Sequence, residues 1–205
     1  MKPVRPVGAT TVRRHAGGAG HLPAARAVYH PAMTPIDSVA APRRPDVRFL
    51  LSHPAHAIAL GLGSGLSPVA PGTVGTLWAW ASFLVMQLWL SQAAIGWIIL
   101  ASLPIGWWAC TRTAERLALL DPGCIVWDEI VAFWAVLWLL APAGWLTQLA
   151  AFALFRFFDA VKPGPVGWAD RLFHGFGWRG GLGILLDDLV AAFCTLFLFA
   201  VARAL

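Results

Sequence analysis

Polar residues divide most of this chain into four apolar stretches, at about residues 74–90, 93–110, 130–158 and 184–204. The first two are close to the roughly 17 residues that a helix needs to cross a bilayer. Only Ser91 and Gln92 separate them, so they predict a helical hairpin. The third is broken by Ala141-Pro142-Ala143-Gly144 into halves of about 11 and 14 residues. Each half is short for a crossing, and the pattern predicts a hairpin that dips into the membrane. Ahead of these, the text from Phe49 reads LLSHPAHAIALGLGSGLSPVAPGTVGTLWAW, an interfacial stretch punctuated by glycine and proline. Residues 1–48 show neither a helical nor a strand period, which predicts a disordered tail rich in Arg, Pro and Ala. The expected architecture is all-α: a multi-pass membrane helical bundle at 49–205 behind that tail, with Met33 an alternative start. No repeat of fixed period is present.

Composition supports the membrane reading. The chain is 59% hydrophobic and 12% charged, has a mean hydropathy of +0.69 and carries twelve Trp; these values favour an integral membrane protein over a soluble globule. The net charge of +5 is misleading. Residues 1–49 hold eight basic and two acidic residues, a balance of +6, and residues 50–205 hold seven and eight, a balance of −1. A near-neutral body carries no nucleic-acid footprint. The tail lacks the compact apolar run of a secretion signal, and its prolines, Asp37 and Asp46 count against a transit peptide. If both hairpins return to one side, the tail, Arg112 with Arg116, and Lys162 with Arg171 and Arg179 all face the cytoplasm.

The chemistry is carried by carboxylates. Six of the ten acids lie where apolar helices meet polar loops: Asp128, Glu129, Asp159, Asp170, Asp187 and Asp188. Grouped carboxylates gain nothing for membrane stability, whereas a divalent cation takes oxygen ligands and bridges to phosphate. Favourable contact with a helix dipole explains one of Asp128 and Glu129, and explains Asp187 and Asp188 less well, since they follow three apolar residues. Metal binding is the favoured reading of that second pair. Asp159 ends a helix just before Pro163, where no cap accounts for it. A local salt bridge to Arg156 or Lys162 competes with a metal role for Asp159 and a phosphate contact for Lys162.

Asp170 with Arg171 also reads as a solvated pair, and His174 reads equally as a loop residue or a proton shuttle. The stretch Gly61 to Gly75 is either an anion site, with Thr73 capping a helix and glycine N–H groups open to phosphate, or a turn leading into the membrane. Cys110, Cys124 and Cys194 lack disulfide or zinc spacing and read as apolar packing. Cys110 and Arg116 do have the spacing of a cysteine phosphatase, but CTRTAER has no glycine to turn backbone N–H groups inward.

At these motifs the sequence resembles the phosphatidylglycerophosphatase A family of membrane lipid phosphatases. The matching stretches are GLGSGLSPVAPGTVGT at 61–76, VWDEIVAFW at 126–134, FRFFDAVKPGPVGWADRLFHG at 155–175 and GGLGILLDDLVA at 180–191. They occur in the family's order and cover the chain from about residue 55. Two departures stand out: Phe176 to Gly180 lengthens the link before the last motif, and Leu185 replaces a common Met.

The resemblance implies Mg²⁺-dependent hydrolysis of phosphatidylglycerophosphate to phosphatidylglycerol and inorganic phosphate, at the bacterial cytoplasmic (inner) membrane with the site facing the cytoplasm. On that basis Asp128, Glu129, Asp187 and Asp188 are expected to hold Mg²⁺, with Asp159 a further ligand or the base. Lys162 and Arg171 would hold the phosphate with Ser64 and the backbone at Gly72 and Thr73, and Asp170 would orient a cation. The expected partners are the lipid substrate and the bilayer; no obligate protein partner is evident. Rival classes lose on sequence grounds. A transporter would place ionisable groups mid-span, and residues 74–110 have none. An alcohol phosphotransferase or haloacid-type phosphatase would need acidic motifs that this chain lacks. A non-catalytic scaffold or a lipid phosphatase of other specificity, such as for phosphatidic acid, stays open.

Overall fold

The computed structural model describes residues 44–173, 175 and 177–205, without the side chains at 170–172. Most of the expected tail and His174 therefore lie outside the described residues. Residues 44–48 fold onto the body: Asp46 caps the first helix through Phe49 N, and Arg44 Nη1 donates to Pro68 O at 3.1 Å. The described residues form α1 (Val47–Leu51), α2 (Pro54–Ala59), a kinked 3₁₀ segment (Gly61–Leu66), α3 (Pro71–Trp89), α4 (Gln92–Leu117), α5 (Trp127–Leu140), α6 (Trp145–Val161), α7 (Pro165–Leu172) and α8 (Trp178–Ala204), and contain no strand.

Helix limits follow local chemistry. Ser91 Oγ accepts the Ala94 N–H to start α4, as its short hydroxyl favours. The 141–144 break separates α5 from α6 as expected, and α6 stops where Lys162 turns left-handed (φ 48°) ahead of Pro163. Thr73 does not cap α3. Ala70 occupies the cap in a left-handed conformation and Pro71 supplies the first turn, which puts Thr73 inside the helix; proline's fixed φ suits that first position.

α5 is the centre of the molecule. Ile130, Val131, Ala132, Phe133, Val136 and Leu137 are all buried, and a helix apolar all round belongs in an interior. α3, α4, α6 and α8 pack around it. Indoles lock these neighbours: buried Trp134 donates through Nε1 to Ala79 O at 3.0 Å, and half-buried Trp138 donates through Nε1 to Gln92 O at 2.8 Å. α3 and α4 are connected as a hairpin but touch each other little, since each packs mainly on other helices, α3 on α5. Among the described residues two helices, α4 (26 residues) and α8 (27 residues), are long and apolar enough to cross a membrane. Exposed Leu88, Trp89, Trp97, Phe193 and Phe197 add an apolar surface, consistent with membrane association.

Candidate active site

Three devices bring distant parts of the chain to one end of α5. Val126 N donates to Ala59 O at 2.9 Å, which ties the end of α2 to the start of α5. Gly72, in the first turn of α3, lies against Glu129: a Cβ there would overlap Glu129 Oε1. At the start of α8, a Cβ at Gly181 would strike Thr111 of α4, and one at Gly183 would strike Phe173 O. The glycines of both motifs thus serve close helix approach, and α8 delivers Asp187 and Asp188 to the same end.

The carboxylates of α5, α6 and α8 meet there with cations between them. Arg156 of α6 donates through Nη1 to Glu129 Oε1 at 3.0 Å, to Asp159 Oδ2, and to Thr76 Oγ1 at 3.4 Å. Lys162 Nζ donates to Asp187 Oδ2 at 2.5 Å. Asp188 is 3% exposed and within Coulombic range of Asp128, Asp159, Asp187 and Glu129. Of the Asp187–Asp188 pair, for which metal binding is the favoured reading, Asp187 already has a positive partner in Lys162.

Among the described residues no three His, Cys, Asp or Glu side chains stand close enough to form a ready metal cage. The oxygen chemistry nonetheless suits a hard cation. Asp128 Oδ1 and Glu129 Oε2 are buried and accept no hydrogen bond among the described residues, a costly state for a carboxylate unless a positive partner meets it. Burial, then the Glu129 and Asp187 charges, pushes the Asp128 carboxyl well up. Burial, then Asp159, pushes Glu129 from 4.5 to about 8, against the opposing pull of Arg156.

Folded Glu129 therefore keeps a proton that the unfolded chain releases. Its contribution to stability is complete below the unfolded value of 4.5 and is lost as pH rises through about 8, because the folded state then binds more protons than the unfolded one. The thermal midpoint of the chelator-treated protein in detergent is expected to fall between about pH 5 and about pH 8.5, and a midpoint that holds or rises would contradict the assignment.

Other expected site residues fare differently. Ser64 Oγ donates to Gly61 O at 2.9 Å and has no hydrogen bond to a carboxylate among the described residues. Asp170 and Arg171 lie on α7, which packs against α8; their side chains are outside the described residues. Cys110 is fully buried inside α4, so CTRTAER is helix and not a phosphate loop. Cys110→Ala is accordingly expected to leave phosphate release within about twofold of the wild type, since no thiolate takes part; loss of turnover with the fold intact would revive the cysteine mechanism.

Two contributions to the site are not evident from local spacing. Arg156 makes the local pair with Asp159 and also bonds Glu129 of α5, for which a lone cation in the apolar run FALFRFF is the usable signal. Asp121, in the loop before α5, lines a cavity of about 250 Å³ that reaches Asp187.

Carboxylates interleaved with Arg and Lys beside Gly72 of α3, at one end of α5, define a helical protein with a buried charged site. Residues 57–203 match the family model for phosphatidylglycerophosphatase A. The chain is 39% identical over 158 residues to phosphatidylglycerophosphatase A of Escherichia coli, covering 73% of this chain and 86% of that one. It is 38% identical over 161 residues to phosphatidylglycerophosphatase A of Haemophilus influenzae, covering 77% and 94%. It is also 38% identical over 153 residues to a Bacteroides thetaiotaomicron protein provisionally named a phosphatidylinositol-3-phosphatase, covering 71% and 91%. No solved structure matches. The chain belongs to the phosphatidylglycerophosphatase A family and is a phosphatase.

Proposed function

We propose that this enzyme hydrolyses the terminal phosphomonoester of phosphatidylglycerophosphate, giving phosphatidylglycerol and inorganic phosphate, with Mg²⁺ as cofactor and its site at the cytoplasmic face of the bacterial inner membrane. The supporting observation is the convergence of Asp128, Glu129, Asp159, Asp187 and Asp188 with Arg156 and Lys162 below Gly72, at one end of α5. Asp128, Glu129, Asp187 and Asp188 would hold the ion. Bound Mg²⁺ supplies charge neutralisation on the phosphoryl oxygens and favours ionisation of water.

The chain's own residues do the rest. Lys162, an ammonium with three N–H donors, bridges Asp187 and a phosphoryl oxygen. Arg171, oriented by Asp170, and the backbone N–H groups of Gly72 and Thr73 bind the others. Asp159, held by Arg156, takes the proton of the attacking water as the bond from phosphorus to the glycerol oxygen breaks, and that oxygen gains a proton from solvent. α4 and α8 would cross the bilayer and keep the acyl chains in lipid, so that only the headgroup meets the polar end.

The experiment is phosphate release from phosphatidylglycerophosphate in detergent, with and without Mg²⁺. Phosphatidic acid and phosphatidylinositol 3-phosphate serve as competing substrates, the latter because of the name of the Bacteroides relative. Mg²⁺-dependent release with preference for phosphatidylglycerophosphate supports the reading. Undiminished release in chelator removes the cofactor, and preference for either competitor removes the substrate.

A further inference from the structure

A second polar cavity, of about 460 Å³, is lined by Ser52, His53, His56, Arg112, Glu115 and Arg116. It shares no residue with the carboxylate cluster, and it lies where α2 meets the last turns of α4. Its chemistry is basic. Arg112 faces Glu115 at 3.9 Å, both side chains being exposed, and Arg116 has no carboxylate partner among the described residues.

The two imidazoles are held in place. His53 Nδ1 accepts the Ala55 N–H at 3.1 Å, which puts the proton of the neutral ring on Nε2 as a donor. His56 Nδ1 lies 3.0 Å from Thr113 Oγ1, and Thr113 in turn donates to Ala55 O at 3.4 Å. Phe49 stacks on the His56 ring at 4.3 Å, and Trp108 lies 5.9 Å from the His53 ring. Burial, followed by the charges of His53 and Arg116, lowers the affinity of His56 for a proton, as expected in an electropositive site. The helix that leads into Ser52 exposes apolar side chains: Val47 is 59% and Leu51 is 74% exposed on α1. An exposed apolar helix beside a cluster of basic groups matches the layering of a lipid surface, with acyl chains under charged headgroups.

We propose that this cavity binds the phosphate of a second anionic phospholipid, with Arg112, Arg116 and His53 on the headgroup and Val47 and Leu51 in the apolar layer. The site is independent of the reaction run by the carboxylates. It gives the enzyme a hold on anionic lipid that is separate from the molecule being hydrolysed.

The test uses the purified full chain in detergent, titrated with short-chain phosphatidylglycerol, short-chain phosphatidylcholine and inorganic phosphate, and read by tryptophan fluorescence and calorimetry. Saturable, salt-sensitive binding of phosphatidylglycerol and not of phosphatidylcholine is expected. The Arg112→Gln/Arg116→Gln double variant should weaken it at least tenfold, Arg112→Lys/Arg116→Lys should recover part of it, and Asp188→Asn should leave it unchanged. Inorganic phosphate binding as tightly as the lipid would overturn the lipid assignment and leave a free-phosphate site. Equal binding of phosphatidylcholine, or unchanged binding in the double glutamine variant, would overturn the site itself. Loss of binding in Asp188→Asn alone would place the lipid at the carboxylate cluster and overturn a separate site. A failed hydrolysis assay touches none of these outcomes.

Discussion

Replacing Asp188 by asparagine is expected to cut Mg²⁺-dependent phosphate release by about 10³-fold, corresponding to roughly 4 kcal/mol of lost charge stabilisation at the phosphoryl group. The substitution keeps the side chain's shape and removes only its charge. Asp188 is 3% exposed on α8 and within Coulombic range of four other acids, so neutralising it relieves repulsion and should not unfold the helix. The variant should insert into membranes and extract in detergent as the wild type does. Initial rates across a Mg²⁺ titration measure the effect. Unchanged turnover at every Mg²⁺ concentration would take Asp188 out of the metal set and break the link between the α5 and α8 acids.

Arg156→Ala is expected to cost stability as well as activity. Arg156 Nη1 bonds both Glu129 and Asp159, and the side chains in these pairs are 19% and 12% exposed. Removing the cation strands two largely buried acids, Asp159 and Glu129, without their shared donor, a loss of about 3 kcal/mol. Arg156→Lys should recover part of it, because an ammonium keeps the charge but sits on a shorter stem that does not place its donors where Nη1 meets both acids. Denaturant unfolding in detergent, monitored by tryptophan fluorescence, checks the order wild type, Lys, Ala. An alanine variant as stable as the wild type would make Arg156 a peripheral residue, and the site would then need another centre of positive charge.

The helices were largely legible in the sequence, because apolar runs and the Ser91 and Pro142 punctuation act within a few residues. α4 begins at Gln92 and α6 at Trp145, close to where the pattern put them. The acids were legible as candidates for the opposite reason: charge is conspicuous in an apolar chain. What could not be read was pairing. Lys162 follows Asp159 by three residues in sequence, and its ammonium reaches Asp187, 25 residues on. Arg156 bonds Asp159, three residues on, as the spacing suggests, and also reaches Glu129, 27 residues back, which the spacing does not show. Ser64 sat in a suggestive motif, yet its hydroxyl turns back to Gly61.

By itself the chain's order of residues determined that it is helical, that its helices are apolar, that its carboxylates flank the apolar runs and that it resembles a lipid phosphatase family. These are properties of short windows, set by periodicity, capping and the cost of burying charge. Only the tertiary structure decided that α5 is the enclosed centre, that Gly72 and Gly181 admit close neighbours, and which cation meets which acid. Those outcomes depend on how helices far apart in sequence pack, and a side chain's partner across that packing leaves no trace in its local sequence.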